Sequence, residues 1–223
     1  MSFLDWFFPR HCLGCGQEGH YFCPVCREEI QPLAIQICPV CQKPAIHGQT
    51  HSYCRSRDSL DGLISCFLYE GIIKKAIGKL KYHFLTALTE ELVELMILFC
   101  PLSRFENQIL VPVPLHPRRE RWRGFNQSEL LGRKLANHFG WPVKTDILSR
   151  QRYTQPQMSL KGKERKTNII KAFKVNSPLP DSIFKSQLIV FDDVWTTGST
   201  LKEAGKVLKM AGFKNIWGLT ICR

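Results

Sequence analysis

Leu188-Ile-Val-Phe-Asp192-Asp193 reads as a buried strand ending in two carboxylates, and Val194-Trp-Thr196-Thr197-Gly198-Ser199-Thr200 carries the chain on into a helix. That path has chemical consequences. The free N–H groups at a helix start attract an anion, and open parallel sheets place ligands at the carboxyl ends of their strands. Thr196, Thr197, Ser199 and Thr200 add hydroxyl donors, and Gly198 lets backbone approach a phosphate without a Cβ in the way. Asp192 and Asp193 cannot serve the same phosphate. Two like charges about 4 Å apart repel by roughly 1 kcal/mol in water and by several times more in a partly dry site. The carboxylates must therefore face hydroxyls or a cation, and a ribose diol meets that need.

A second pattern fills the first quarter of the chain. Cys12-x-x-Cys15, Cys23-x-x-Cys26, Cys38-x-x-Cys41 and His51-x-x-Cys54 space eight soft ligands as four pairs. A two-residue gap lets a tight turn present both side chains to one ion, and a closed structural zinc site takes four such ligands. One or two zinc ions are expected. Sequential pairing, with Cys12, Cys15, Cys23 and Cys26 on one ion and Cys38, Cys41, His51 and Cys54 on the other, is favoured; interleaved pairing stays open. A closed set leaves no position for a substrate, so the metal is structural. Cys66, Cys100 and Cys222 are scattered among apolar residues and read as small buried hydrophobes. Cysteines used in this way suit a reducing compartment.

These residues need a scaffold. With 223 residues, 44% of them hydrophobic, the chain can build one sizeable α/β domain and a small satellite. The change in texture near Asp61 divides it into a metal-dependent module at 1–60 and an α/β domain at 61–223. Leu63 to Tyr69 reads as a strand. Ile72, Ile73, Ala76, Ile77 and Leu80 recur at helical spacing among lysines, and a helix begins near Thr86. Ile109 to Pro112 is a short strand, and Ser128 to Phe139 a helix stopped by Gly140. Gln187 to Phe191, Ser199 to Met210 and Asn215 to Cys222 form a βαβ unit and imply a parallel sheet. The polar segment from Arg150 to Asn168 lacks periodicity and is a candidate lid.

The net charge of +12 favours anionic partners such as phosphates or nucleic acid. Neither a signal peptide nor a membrane span is expected, which points to the cytoplasm. Phe3, Leu4, Trp6, Phe7 and Phe8 either touch the inner face of the membrane or pack onto the core, the second being favoured.

The stretch at 188–200 resembles the signature of type I phosphoribosyltransferases. Together with Val111-Pro-Val-Pro114, Arg123-Gly-Phe-Asn-Gln127, Gln157, Arg165 and Asn168, it makes the chain similar, nearly end to end, to the ComF family of natural-competence proteins. The resemblance implies a type I phosphoribosyltransferase-like parallel sheet with flanking helices, preceded by a double zinc ribbon. It implies that Asp192 and Asp193 contact the sugar hydroxyls of 5-phosphoribosyl 1-diphosphate, while Thr196, Thr197, Gly198, Ser199 and Thr200 wrap its 5-phosphate. Val113, Pro114 and Leu115 would turn backbone amides to the diphosphate, with magnesium bridging it and the hydroxyls. Arg165 is the candidate for neutralising the leaving pyrophosphate, with Asn168 beside it on the lid. Arg118, Arg123, Asn126 and Gln127 are secondary. A solvated face is the alternative for Arg118 and Arg119, and helix capping the alternative for Asn126. The family also implies a role in DNA uptake, with single-stranded DNA and an uptake helicase as partners. The acceptor of any phosphoribosyl transfer stays open, and so does the non-catalytic alternative, in which a DNA-handling protein uses the pocket to sense a ligand.

Overall fold

The computed structural model describes residues 9–152 and 171–223. Four parallel strands form the central sheet in the order β1-β6-β5-β2, with β1 at Gly62–Phe67, β2 at Ile109–Pro112, β5 at Gln187–Val194 and β6 at Asn215–Cys222. The central pair, β5 and β6, is apolar along almost its whole length because helices cover both faces. On one face lie α2 (Gly71–Tyr82), α3 (Thr89–Phe99) and α5 (Gln127–Phe139). On the other lies α6 (Ser199–Met210), packed through Leu201, Ala204 and Leu208. The expected βαβ unit is present. β5 continues three residues beyond the expected Phe191, so the sheet itself carries both acids.

Three features were not expected. Pro117–Arg123 is a short helix, α4; its arginines leave no apolar stripe, but Pro117 at the first turn and the His116 ring accepting from Arg118 N–H (3.2 Å) start it. β3 (Leu148–Arg150) and β4 (Phe173–Val175) pair antiparallel as a two-stranded ribbon. Cys66 at the end of β1 and Cys100 after α3 are buried but joined by a disulfide, which corrects their reading as separate hydrophobes; the fold brings their Cα atoms to 5.3 Å.

The cysteine-rich segment, which includes the single turn α1 (Pro24–Glu28), is not a free appendage. Cys12, Tyr21, Phe22, Cys23 and Cys26 belong to the same buried cluster as Ile72, Ile73, Leu92 and Met96 of α2 and α3. Glu91 of α3 locks the joint: its buried carboxylate accepts Tyr21 N–H (3.0 Å) and Phe22 N–H (2.9 Å), with Arg10 and Arg27 at 3.7 and 3.8 Å. Among the described residues, no helix is long and apolar enough to cross a membrane.

Candidate functional site

Two metal-ligand clusters form. Cys12, Cys15, Cys23 and Cys26 converge in one, and Cys38, Cys41, His51 and Cys54 in the other, each with its ligand atoms within 4.8 Å of one another. This is the sequential pairing. Zinc–sulfur bonds of about 2.3 Å in a tetrahedron separate sulfurs by roughly 3.8 Å; Cys15 Sγ lies 3.7 Å from Cys23 Sγ. His51 turns Nδ1 to Cys41 Sγ at 3.3 Å, while Nε2 donates to the Pro44 carbonyl at 3.0 Å, which fixes the ring for ligation. Burial and neighbouring thiols push Cys26 up to about 12 and Cys54 up to about 11. Burial also acts against ionising Cys12, but backbone N–H groups draw it down to about 6. A cation entering either cluster would therefore displace protons, as thiolate coordination requires. The donor chemistry fits zinc.

At the carboxyl end of β5, the chain leaves the sheet through Trp195 and reaches α6 through Gly198, whose φ of +71° belongs to the left-handed region that glycine adopts without strain. A Cβ there would meet the Trp195 ring at 2.2 Å, so Trp195 packs beneath the loop instead of closing over it. Unlike α4 and α5, α6 has no side-chain cap, and its first turn holds no acid. Ser199 N–H reaches Thr197 Oγ at 3.4 Å, and with no acid in the first turn the helix dipole there favours an anion. Thr197 Oγ donates to Ser199 Oγ at 3.1 Å, which gathers the hydroxyls at that point.

Asp192 accepts from Ser128 Oγ (3.1 Å) and from Asp193 N–H (2.9 Å). Asp193 is paired with Lys81 Nζ at 2.6 Å. Burial, then the adjacent Asp193 charge, pushes Asp192 up to about 7. Burial alone would lower Lys81, but Asp193 overrides it and holds the ammonium above its ordinary value. Arg150 is buried as well, which draws it down to about 10 with Arg119 adding repulsion and Asp192 opposing. Arg123 donates to Gln127 Oε1; burial lowers its guanidinium and the Asp193 charge opposes that.

Lys81, Ser128 and Arg150 are thus site residues that the motifs did not reveal. Lys81 had a signal only as one of several lysines on a basic helix. Asn126 performs the capping alternative, accepting Ser128 N–H (3.1 Å) and donating to the Val113 carbonyl (3.0 Å). The expected amides at 113–115 are reduced: Val113 N–H donates to the Phe191 carbonyl (2.8 Å) and Pro114 has none, leaving that of Leu115. Arg118 lies exposed on α4. Gln157, Arg165, Asn168, and Phe3 to Phe8 lie outside the described residues.

The second cluster overlooks this loop. A cleft of about 380 Å³ runs between Pro39 and Val40, in the turn joining two of its ligands, and Thr197, Ser199, Lys202 and Lys206.

Fold and site define a class: a cysteine-rich ribbon module with two metal-ligand clusters, followed by a parallel α/β sheet whose β5 ends in two carboxylates and a hydroxyl-rich turn into a helix. Residues 3–56 match the double zinc ribbon domain family. The chain is 28% identical to the DNA utilization protein YhgH of Salmonella typhimurium, covering 90% of this chain and 89% of that one. It is 27% identical to competence protein F of Haemophilus influenzae (96% and 97%) and 27% identical to competence protein ComFC of Bacillus subtilis (85% and 78%). Over most of its length the chain is therefore similar to competence and DNA utilization proteins, and its N-terminal segment matches a double zinc ribbon.

Proposed function

We propose that this protein is of the phosphoribosyltransferase type, binds 5-phosphoribosyl 1-diphosphate at residues 192–200 and serves DNA uptake. The observation that carries the reading is the pairing of a hydroxyl-rich, acid-free helix N-terminus with two carboxylates on the strand that leads into it. The amides of the loop and first turn hold the 5-phosphate. Asp192, the less buried of the acids, accepts from the sugar diol. Leu115 N–H, Arg123 and Arg150 border the place left for the diphosphate, where fixed positive charge stabilises a departing pyrophosphate. Hard oxygen donors such as Asp192 fit magnesium, which when bound with the diphosphate neutralises charge on the leaving group. Arg165 and Asn168 remain the candidates to complete the diphosphate side. Calorimetry of zinc-replete protein with the sugar diphosphate and magnesium tests this: uptake is expected, with loss in Asp192→Asn. Absence of uptake by the parent protein removes the reading.

A second reading, direct handling of single-stranded DNA, has its own observation. Phe84 (41% exposed) and Trp122 (63%) meet edge to face at 5.4 Å, with Tyr82 exposed nearby in sequence and Arg118 and Arg121 exposed on the same helix as Trp122. Exposed rings among cations are what stacked, sequence-tolerant strands bind. Labelled oligothymidine should bind more weakly as salt rises and at least tenfold more weakly to the Phe84→Ala/Trp122→Ala variant. No binding at low salt eliminates it. An uptake helicase as partner belongs to the same proposal.

A further inference from the structure

The two acids of the site do not have the same surroundings. Ile189 and Phe191 of β5 face the core shared with α2, α3 and α5, and strand alternation sends Asp193 the same way. There it meets Lys81, the next-to-last residue of α2, with Nζ–Oδ2 at 2.6 Å and side-chain exposures of only 20% and 5%. Asp192 is less buried, and its contacts are a hydroxyl and a backbone amide instead of a cation. The Asp192 charge acts on Arg150, and the Asp193 charge acts on Arg123.

We infer that the two carboxylates divide the work: Lys81 holds Asp193 in an internal ion pair, and Asp192 is the carboxylate left for the ligand. This rests on the phosphoribosyl reading. A carboxylate committed to an ammonium has less capacity to accept from a sugar hydroxyl. Its neutralisation also keeps a second negative charge from repelling a diphosphate. Lys81 is then a positioning residue acting through Asp193, supplied from 112 positions away in the chain.

The test is a cycle of Lys81→Met, Asp193→Asn and the double variant, with Lys81→Arg and Asp192→Asn alongside. Thermal unfolding without ligand and calorimetry with the sugar diphosphate and magnesium are read for each. Lys81→Met is expected to lower the unfolding temperature and weaken binding more than tenfold, because it leaves Asp193 buried and uncompensated. Adding Asp193→Asn should recover a large part of both losses, and Lys81→Arg should recover most of the binding. Asp192→Asn should weaken binding at least tenfold more than Asp193→Asn, a comparison that holds even if Lys81→Met does not fold. A double variant that regains stability but not affinity, or an Asp193→Asn loss equal to that of Asp192→Asn, overturns the division. No uptake by the parent protein removes the phosphoribosyl reading and this inference with it, whereas absence of thermal coupling between Lys81 and Asp193 removes this inference alone.

Discussion

The two metal-ligand clusters share a spacing and differ in setting. In the first, three of four ligands are buried and lie in the same apolar cluster as α2 and α3, with Glu91 tying the backbone between Gly19 and Cys23 to the sheet's flanking helix. In the second, only Cys38 is buried, and the cluster is held by thinner ties, such as the Gln36 amide bridging to Ser65 backbone and Arg104 donating to the His47 carbonyl. The same paired spacing, with four thiols in one cluster and three thiols and an imidazole in the other, thus serves two ends. The first cluster is a piece of the core, and the second is a wall of the cleft beside Thr197 and Ser199.

The strongest way to break this comparison is to remove one ligand from each cluster. Structural zinc contributes on the order of 10 kcal/mol in small modules. Cys23→Ser should lower the unfolding temperature by more than about 10 °C, since each kcal/mol shifts a domain of this size by about 2–4 °C. Cys54→Ser should lower it by less than half as much, with one zinc lost in each by metal analysis. Equal losses would abolish the distinction. Next in size is the joint: Glu91→Ala leaves the Tyr21 and Phe22 N–H groups without their acceptor and should cost about 3 kcal/mol in denaturant unfolding.

Smaller effects are expected at the loop the second cluster overlooks. Gly198→Ala meets both a left-handed φ and the Trp195 ring and should cost about 2 kcal/mol, with loss of anion binding in calorimetry. The smallest effect has the opposite sign. Asp192 is raised from 3.8 to about 7 on folding, so its contribution to stability is full below about pH 4 and is lost as pH rises through 7. Asp192→Asn should therefore raise the unfolding temperature of ligand-free protein at pH 8 by a few degrees and change it little at pH 4. A variant less stable than its parent at pH 8 would show that Asp192 is not under electrostatic stress.

Much of the architecture was legible because it is local. Cys-x-x-Cys turns, the apolar run of β5, the glycines after α5 and α6 and the hydroxyl-rich turn before α6 each express a preference within a few residues. α4 and the β3–β4 ribbon were missed for the same reason: a seven-residue helix full of arginine has no stripe, and three-residue strands have no period. The backbone amide of Val113 was misjudged because its availability depends on a neighbouring strand.

Ligand types and spacings, the acid pair and the hydroxyl-rich turn before α6 were determined by sequence alone, since side-chain chemistry and turn geometry act over one or two turns of chain. Tertiary structure decided which acid meets Lys81, that Ser128 donates to the other, that Cys66 reaches Cys100, and which metal cluster belongs to the core. Those contacts join residues up to 112 positions apart, and no local preference encodes them; they follow from how helices cover the two faces of one parallel sheet.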